Sequence, residues 1–144
     1  MFRYVEVTLD HLRIAFALED VGRVVRAVAL TPVPGAAKCL MGMLNLHGSV
    51  IPVFDTRTLF GIESRELKES DHFLLAKELP RRAFVADSIV GSFECQAIEK
   101  PKSFSTEMSH VRGVVRHDDG LVVVHDMKRF MAFDASIPLR AVHG

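Results

Sequence analysis

Apolar and polar residues alternate along this chain in short runs divided by turn formers, the pattern of half-buried strands. Val5, Val7 and Leu9 share one face of a first strand. Asp10 and His11 make a turn, and Leu12, Ile14, Phe16 and Leu18 share a face of the return strand. Residues 19–22 read as a helical turn, and residues 23–30, rich in β-branched valine, as a further strand. Thr31-Pro32-Val33-Pro34-Gly35 cannot continue it, because proline lacks an amide donor and glycine frees the backbone. Residues 36–41 fit a brief helix.

The stretch 40–62 organises the rest. Two apolar runs flank His47-Gly48, where glycine can take positive φ, so a β-hairpin is expected. Pro52 removes one ladder bond from the second run and predicts an edge or a bulge there. Asp55 can accept hydrogen bonds from the free amides of a new helix, so it is expected to cap a short helix over residues 56–60, ended by Gly61. The unit recurs. Gly42 and Asp55 are thirteen residues apart, as are Gly113 and Asp126, with a turn at Asp118-Asp119-Gly120 between the second pair. Arg57 then matches Lys128, and Leu59 matches Phe130. The run Phe16–Val21 echoes Phe84–Ile89 in the same order, so the chain reads as a duplicated β-rich half, approximately 1–62 and 72–133.

Residues 63–71 are charged and read as a solvated connection. Residues 72–77 and 83–86 form a further hairpin and 91–98 a strand. Residues 99–110 are expected to be the longest loop, and residues 134–144 a loose tail. About nine or ten short strands with one-turn helices between them imply an all-β fold whose edges are hidden by closure, here as two small five-stranded β-barrels packed side by side.

Composition narrows the function. At 144 residues, 49% of them apolar, the chain is long enough for one well-cored domain, 1–144. Its 18 basic and 18 acidic residues balance, so no broad field attracts nucleic acid or an anionic membrane. Cys39 and Cys95 lack a Cys-x-x-Cys spacing and read as reduced thiols. Residues 1–6 alternate in polarity, unlike a signal peptide, and no run is long enough to insert in a bilayer. A cytoplasmic location is expected. No catalytic residues are assigned: there is no phosphate-binding glycine loop and no nucleophile elbow. His110, His117 and His125, with Asp118, Asp119 and Asp126, raise a metal hypothesis, but none makes a helical His pair, and turn or capping roles account for them. Neither metal nor cofactor is expected.

A β module without catalytic groups holds other proteins through strand edges and small apolar patches, and such edges also permit self-association. The series Phe16-Ala-Leu-Glu-Asp-Val-Gly-Arg-Val-Val, Thr31-Pro-Val-Pro-Gly, and Gly42-Met-Leu-Asn-Leu-His-Gly-Ser-Val-Ile-Pro-Val-Phe-Asp-Thr-Arg-Thr-Leu-Phe-Gly resembles the CheW family of chemotaxis coupling proteins. Val111-Arg-Gly-Val-Val and Gly-Leu-Val-Val-Val-His-Asp extend the resemblance through the second copy. It implies two pseudo-symmetric, SH3-like five-stranded barrels. It also implies a non-catalytic adaptor that binds the regulatory domain of a CheA-type histidine kinase and the cytoplasmic tip of a chemoreceptor. Val21 and Val24 match the family's partner-facing apolar positions; Arg23, between them, stands where the family often has Glu. Gly42, Asn45 and Gly48 match the Gly-x-x-Asn-Leu-Arg-Gly pattern, with His47 replacing its Arg. Arg57 matches the basic residue of the family's Asp-Leu-Arg. Asp55, Asp126 and Gly113 are assigned structural roles. Arg23 and His47 alter expected contacts, since histidine, mostly neutral near pH 7, cannot make the forked bonds of arginine. They motivate an alternative: the same module in another pathway, such as surface motility or a dedicated non-chemotactic partner.

Overall fold

The structure, a computed structural model, describes residues 1–100 and 110–130. Its strands are β1 (Phe2–Leu9), β2 (Leu12–Ala17), β3 (Val21–Arg26), β4 (Leu40–Leu46), β5 (Ser49–Phe54), β6 (His72–Ala76), β7 (Ala83–Ala86), β8 (Ser88–Cys95), β9 (Val111–His117) and β10 (Gly120–His125). Among the described residues, helix is confined to a 3-10 turn at Leu18–Asp20, α1 (Thr56–Leu59) and one turn at residues 127–130.

The strands form two five-stranded sheets, ordered β8-β1-β2-β10-β9 and β3-β6-β7-β5-β4. Exchanging each of the first five strands with the strand five later converts one order into the other. The parallel pairs β2–β10 and β5–β7 correspond in the same way. Each set of five therefore lends two strands to one sheet and three to the other, so both sheets are built from both ends of the chain.

Closed barrels do not form. The strand ladders leave each sheet open, as in SH3-like folds, and among the described residues a single bridge spans each gap. In one, Thr31 N donates to Met43 O at 3.0 Å and Met43 N to Thr31 O at 2.8 Å. In the other, Glu99 N donates to Val114 O at 2.9 Å and Val114 N to Glu99 O at 2.7 Å. Pro32, next to the first bridge, has no amide to extend it into a ladder. Strand β3 accordingly ends at Arg26 rather than Leu30, and residues 36–41 make turns into β4 instead of a helix.

Both signature glycines sit under these bridges. A Cβ at Gly42 would meet the Thr31 carbonyl oxygen at 2.7 Å and Leu30 Cβ at 2.9 Å; one at Gly113 would run into the Glu99 carbonyl and the Ile98 side chain. Gly42→Ala must push the crossing segment away, which is expected to cost about 2 kcal/mol, as overpacking against backbone does. Urea unfolding should show a lower midpoint at unchanged slope; a coincident curve would mean that the crossing tolerates a side chain.

Apolar residues separate into three cores. Leu44, Ile51, Val53, Phe73 and Leu75 fill one sheet. Tyr4, Ala15, Phe93, Val122 and Val124 fill the other. Val5, Val7, Phe16, Phe54, Phe84 and Phe130 pack between the two sheets. Strand β1 is therefore buried on both faces: Val5, Val7 and Leu9 face the shared core, and Tyr4 the core of its own sheet. Pro52 pairs with Met43 on β4, while the ladder to β7 begins at Val53, so the missing donor lies beyond that ladder's end.

Both turns at the hairpin tips use left-handed residues. His47 has φ 52° and Gly48 φ 86°; Asp118 has φ 49° and Asp119 φ 57°. These are the two positive angles that a type I′ turn needs to match strand twist. The second turn is thus Asp118-Asp119, and Gly120 already belongs to β10, paired with His117. The expected loop at residues 99–110 lies largely outside the described residues, and the expected tail at 134–144 wholly so.

Candidate functional site

The residues proposed from sequence fall on two edges of one sheet and at its junction with the other. Strand β3 is the outermost strand at one end of the order β3-β6-β7-β5-β4, and β4 at the other. On β3, Val21 is half-buried against the shared core, while Arg23 and Val24 are exposed. The ladder with β6 slips between Val21 and Arg23, so Gly22 lies in a bulge. On β4, Gly42 is buried, and Asn45, His47 and Gly48 are exposed at the hairpin tip. Asn45 Oδ1 accepts from Gly48 N at 3.2 Å, which ties the side chain to the turn. His47 suits its left-handed backbone better than most non-glycine residues. Val50, just past the turn, is 65% exposed, and its counterpart Leu121 beside the second turn is 57% exposed.

Arg57 occupies a different setting. Asp55 caps α1, accepting from Arg57 N at 3.1 Å and from the Thr58 hydroxyl at 3.0 Å, and it also accepts from Ser64. The cap turns the Arg57 side chain inward, where Nη2 lies 2.7 Å from Asp10 Oδ1 and 2.6 Å from Asp87 Oδ2. Arg65 joins the same cluster, at 2.7 Å from Asp87 and 2.8 Å from Asp71. The Arg57 guanidinium holds the Asp10 carboxyl below the usual range. Burial pushes Asp71 up, but bonds from Arg65 and the Lys68 amide outweigh it, and the net shift is downward. The charged connection 63–71 is therefore mostly exposed yet anchored at Arg65 and at buried Asp71. Asp126 caps the turn at residues 127–130, accepting from Lys128 N at 3.0 Å and Arg129 N at 3.3 Å. Lys128, the counterpart of Arg57, is exposed.

Two buried polar features escape a reading of the sequence. Glu6, 1% exposed, receives two bonds from Arg13, at 2.6 and 3.1 Å, which hold its carboxyl below the usual range. Its position between Val5 and Val7 marks a solvated strand face, and only the neighbouring strands bury it. His125 sits among Phe60, Phe16 and His110, its Nδ1 3.2 Å from Val123 O. His117 stacks instead on Phe93, with ring centroids 4.4 Å apart. The histidines are thus dispersed, and among the described residues no three His, Cys, Asp or Glu side chains converge to hold a metal ion. No helix among the described residues is long and apolar enough to cross a membrane.

An exposed hairpin tip, an exposed edge strand and interiors filled by side chains make a scaffold with surfaces to offer. A family model described as the CheW-like domain matches residues 3–134. The chain belongs to the CheW-like family. Among its relatives, the chemotaxis protein CheW of Thermotoga maritima is 23% identical over 135 residues, which cover 90% of this chain and 87% of that protein. The chemotaxis protein CheW of Helicobacter pylori is 20% identical over 124 residues, covering 83% and 75%. A solved structure, the scaffolding protein TtCheW from Thermoanaerobacter tengcongensis, shares the fold with a TM-score of 0.76 at 24% identity, over 86% of this chain and 83% of that one. In this CheW-like chain Gly42 and Gly113 are the residues under the crossing bridges, and Asp55 and Asp126 cap the two helical turns.

Proposed function

We propose that this chain is a non-catalytic adaptor of chemotaxis signalling that couples chemoreceptors to a CheA-type histidine kinase. It works in the cytoplasm, through protein contacts alone. One observation carries the reading beyond family membership: the two end strands of a single sheet each present exposed residues of distinct chemistry. Arg23 and Val24 on β3 form one surface; Asn45 on β4, with His47, Gly48 and Val50 at the tip of its hairpin, forms the other. An adaptor needs two partner surfaces that do not compete. The kinase regulatory domain and the receptor's cytoplasmic tip are the two occupants, and the exposed edges also allow a second copy to associate. Val21 supports the β3 surface from beneath. Gly42 and Arg57 position the two surfaces from inside the fold. Co-sedimentation with the kinase regulatory domain and a receptor cytoplasmic fragment should capture both; capture of neither overturns the reading.

Arg23 and His47 favour a second reading, in which the module serves another pathway. If so, Arg23→Glu with His47→Arg should tighten binding to an ordinary chemotaxis kinase roughly tenfold, a 1.4 kcal/mol gain from restored rim charge complementarity. Equal affinities would leave the chemotaxis reading in place.

A further inference from the structure

Beside the β3 bulge lies an open cleft of about 350 Å³ whose charged lining is entirely basic: Arg23 on β3, with Lys77 and Arg81 on the turn between β6 and β7. No carboxylate lines it. All three cations are exposed, and none has an ion-pair partner among the described residues. Elsewhere in the molecule, Arg3, Arg13, Arg57, Arg65, Arg112 and Arg116 all lie against carboxylates. Arg26, Lys38 and Lys128 also lack an ion-pair partner among the described residues; what sets Arg23, Lys77 and Arg81 apart is that they line one cleft together without a carboxylate.

The backbone builds this convergence. Gly22 lies where a Cβ would meet Lys77 Cα at 3.1 Å, so the bulge lets β3 press against the start of the turn. Lys77 N donates to Asp20 O at 2.9 Å, which fixes the turn to the entry of β3. Lys77 also lines a neighbouring cleft with Glu19, Asp20, Glu78 and Lys128, but none of these three carboxylates reaches it within ion-pairing distance. Leu79, 76% exposed between Lys77 and Arg81, presents an apolar side chain on the same turn.

We infer that this cleft receives carboxylates of an acidic, partly apolar segment of a signalling partner, with Arg23, Lys77 and Arg81 as the charges that select it. The inference deepens the adaptor reading and rests on it for the identity of the partner. Three cations in one concavity match a few carboxylates on one segment, and Leu79 supplies an apolar anchor. An anionic membrane surface is held by clusters of about four to eight basic residues, and a nucleic acid needs a basic face that a neutral chain does not offer. Arg23→Glu would leave the cleft a net charge of one instead of three, so the residue at position 23 tunes partner choice.

The test uses the full chain and a leucine-containing, glutamate-rich peptide, with its glutamine counterpart and phosphatidylserine vesicles as comparators. Anisotropy at low and high salt should show the glutamate peptide binding at least tenfold more tightly than the glutamine peptide, with the preference fading as salt rises. Exposed ion pairs contribute modestly one by one but add up across three, so Arg23→Gln with Lys77→Gln and Arg81→Gln should weaken the glutamate peptide roughly tenfold or more. Arg81→Gln alone, on the turn and outside any strand, should weaken it about threefold and guards against a folding defect in the triple variant. Equal affinity for the two peptides, unchanged affinity in both variants, or capture by vesicles without peptide binding would each overturn the inference. Kinase and receptor co-sedimentation is read separately. Its failure alongside a glutamate preference that the variants abolish would sink the adaptor reading and leave the acidic-segment site standing.

Discussion

Arg57→Ala is expected to lower the stability of this chain by about 3 kcal/mol, near the lower bound for breaking a buried ion pair by removing one partner. Arg57 is 7% exposed, and its Nη2 serves Asp10 and Asp87 together. These carboxylates belong to two different turns, β1–β2 and β7–β8, so one guanidinium ties three places in the chain. Asp10 N also donates to Asp87 Oδ2 at 2.6 Å, and Arg65 remains on Asp87. The loss is therefore smaller than that of a wholly stranded charge. Asp10 is partly exposed and rehydrates; the cost falls on Asp87 and on the cavity left beside it. Arg57→Lys keeps the charge but not the planar fork and should recover only part of the loss. Urea melts of the two variants and the parent measure this directly. A shift of under about 0.5 kcal/mol for Arg57→Ala, the size expected of an ordinary surface change, would show that the cluster does not hold the junction.

Acidification should unfold this chain early, because of His125. Burial, with a smaller push from the facing His110, lowers the pKa of its imidazole to about 4 from an ordinary 6.5. A histidine held neutral in the fold takes up its proton more readily in the unfolded chain. Its contribution is thus complete above pH 6.5 and is lost as pH falls from 6.5 towards 4. A separation of that size is worth about 3 kcal/mol at 1.36 kcal/mol per pH unit. Burial lowers His110 as well, so it adds in the same direction. Glu6, Asp10 and Asp71 are held below the usual carboxylate range, so their contributions persist above that range and are lost only as pH falls further, through their lowered values. The two windows are distinguishable. His125→Phe places at this site the residue type of its counterpart, Phe54, and should flatten most of the decline between pH 6.5 and 4.5 while leaving the steeper acid limb. Identical pH–stability curves for variant and parent would refute the assignment.

Much of the fold is written locally. The alternation of Val5, Val7 and Leu9, the turn at His47-Gly48, the caps at Asp55 and Asp126 and the breaks at Pro32 and Pro34 all act within a few residues, so each is legible from its neighbours. The thirteen-residue spacing from glycine to aspartate is legible too, since it counts one hairpin and one helical turn. The site was legible in part: the exposed tip carrying Asn45, His47 and Gly48 follows from the hairpin. Arg57 reads as an ordinary charge on a short helix, and nothing near it in the chain announces Asp10 or Asp87, which lie 47 and 30 positions away. The cleft of Arg23, Lys77 and Arg81 was hidden for the same reason.

What the amino-acid order determined by itself was the set of parts: about nine or ten short strands, two hairpin turns, two capped helical turns and a duplicated plan, because hydrophobic period, turn chemistry and capping are short-range. What only the tertiary structure decided was their combination. Each half gives two strands to one sheet and three to the other, the sheets stay open under single bridges at Thr31 and Glu99, and polar Glu6 and His125 end inside. These outcomes depend on which strand lies beside which, and pairing between distant segments is set by the joint burial of all three cores, a sum that no local window contains.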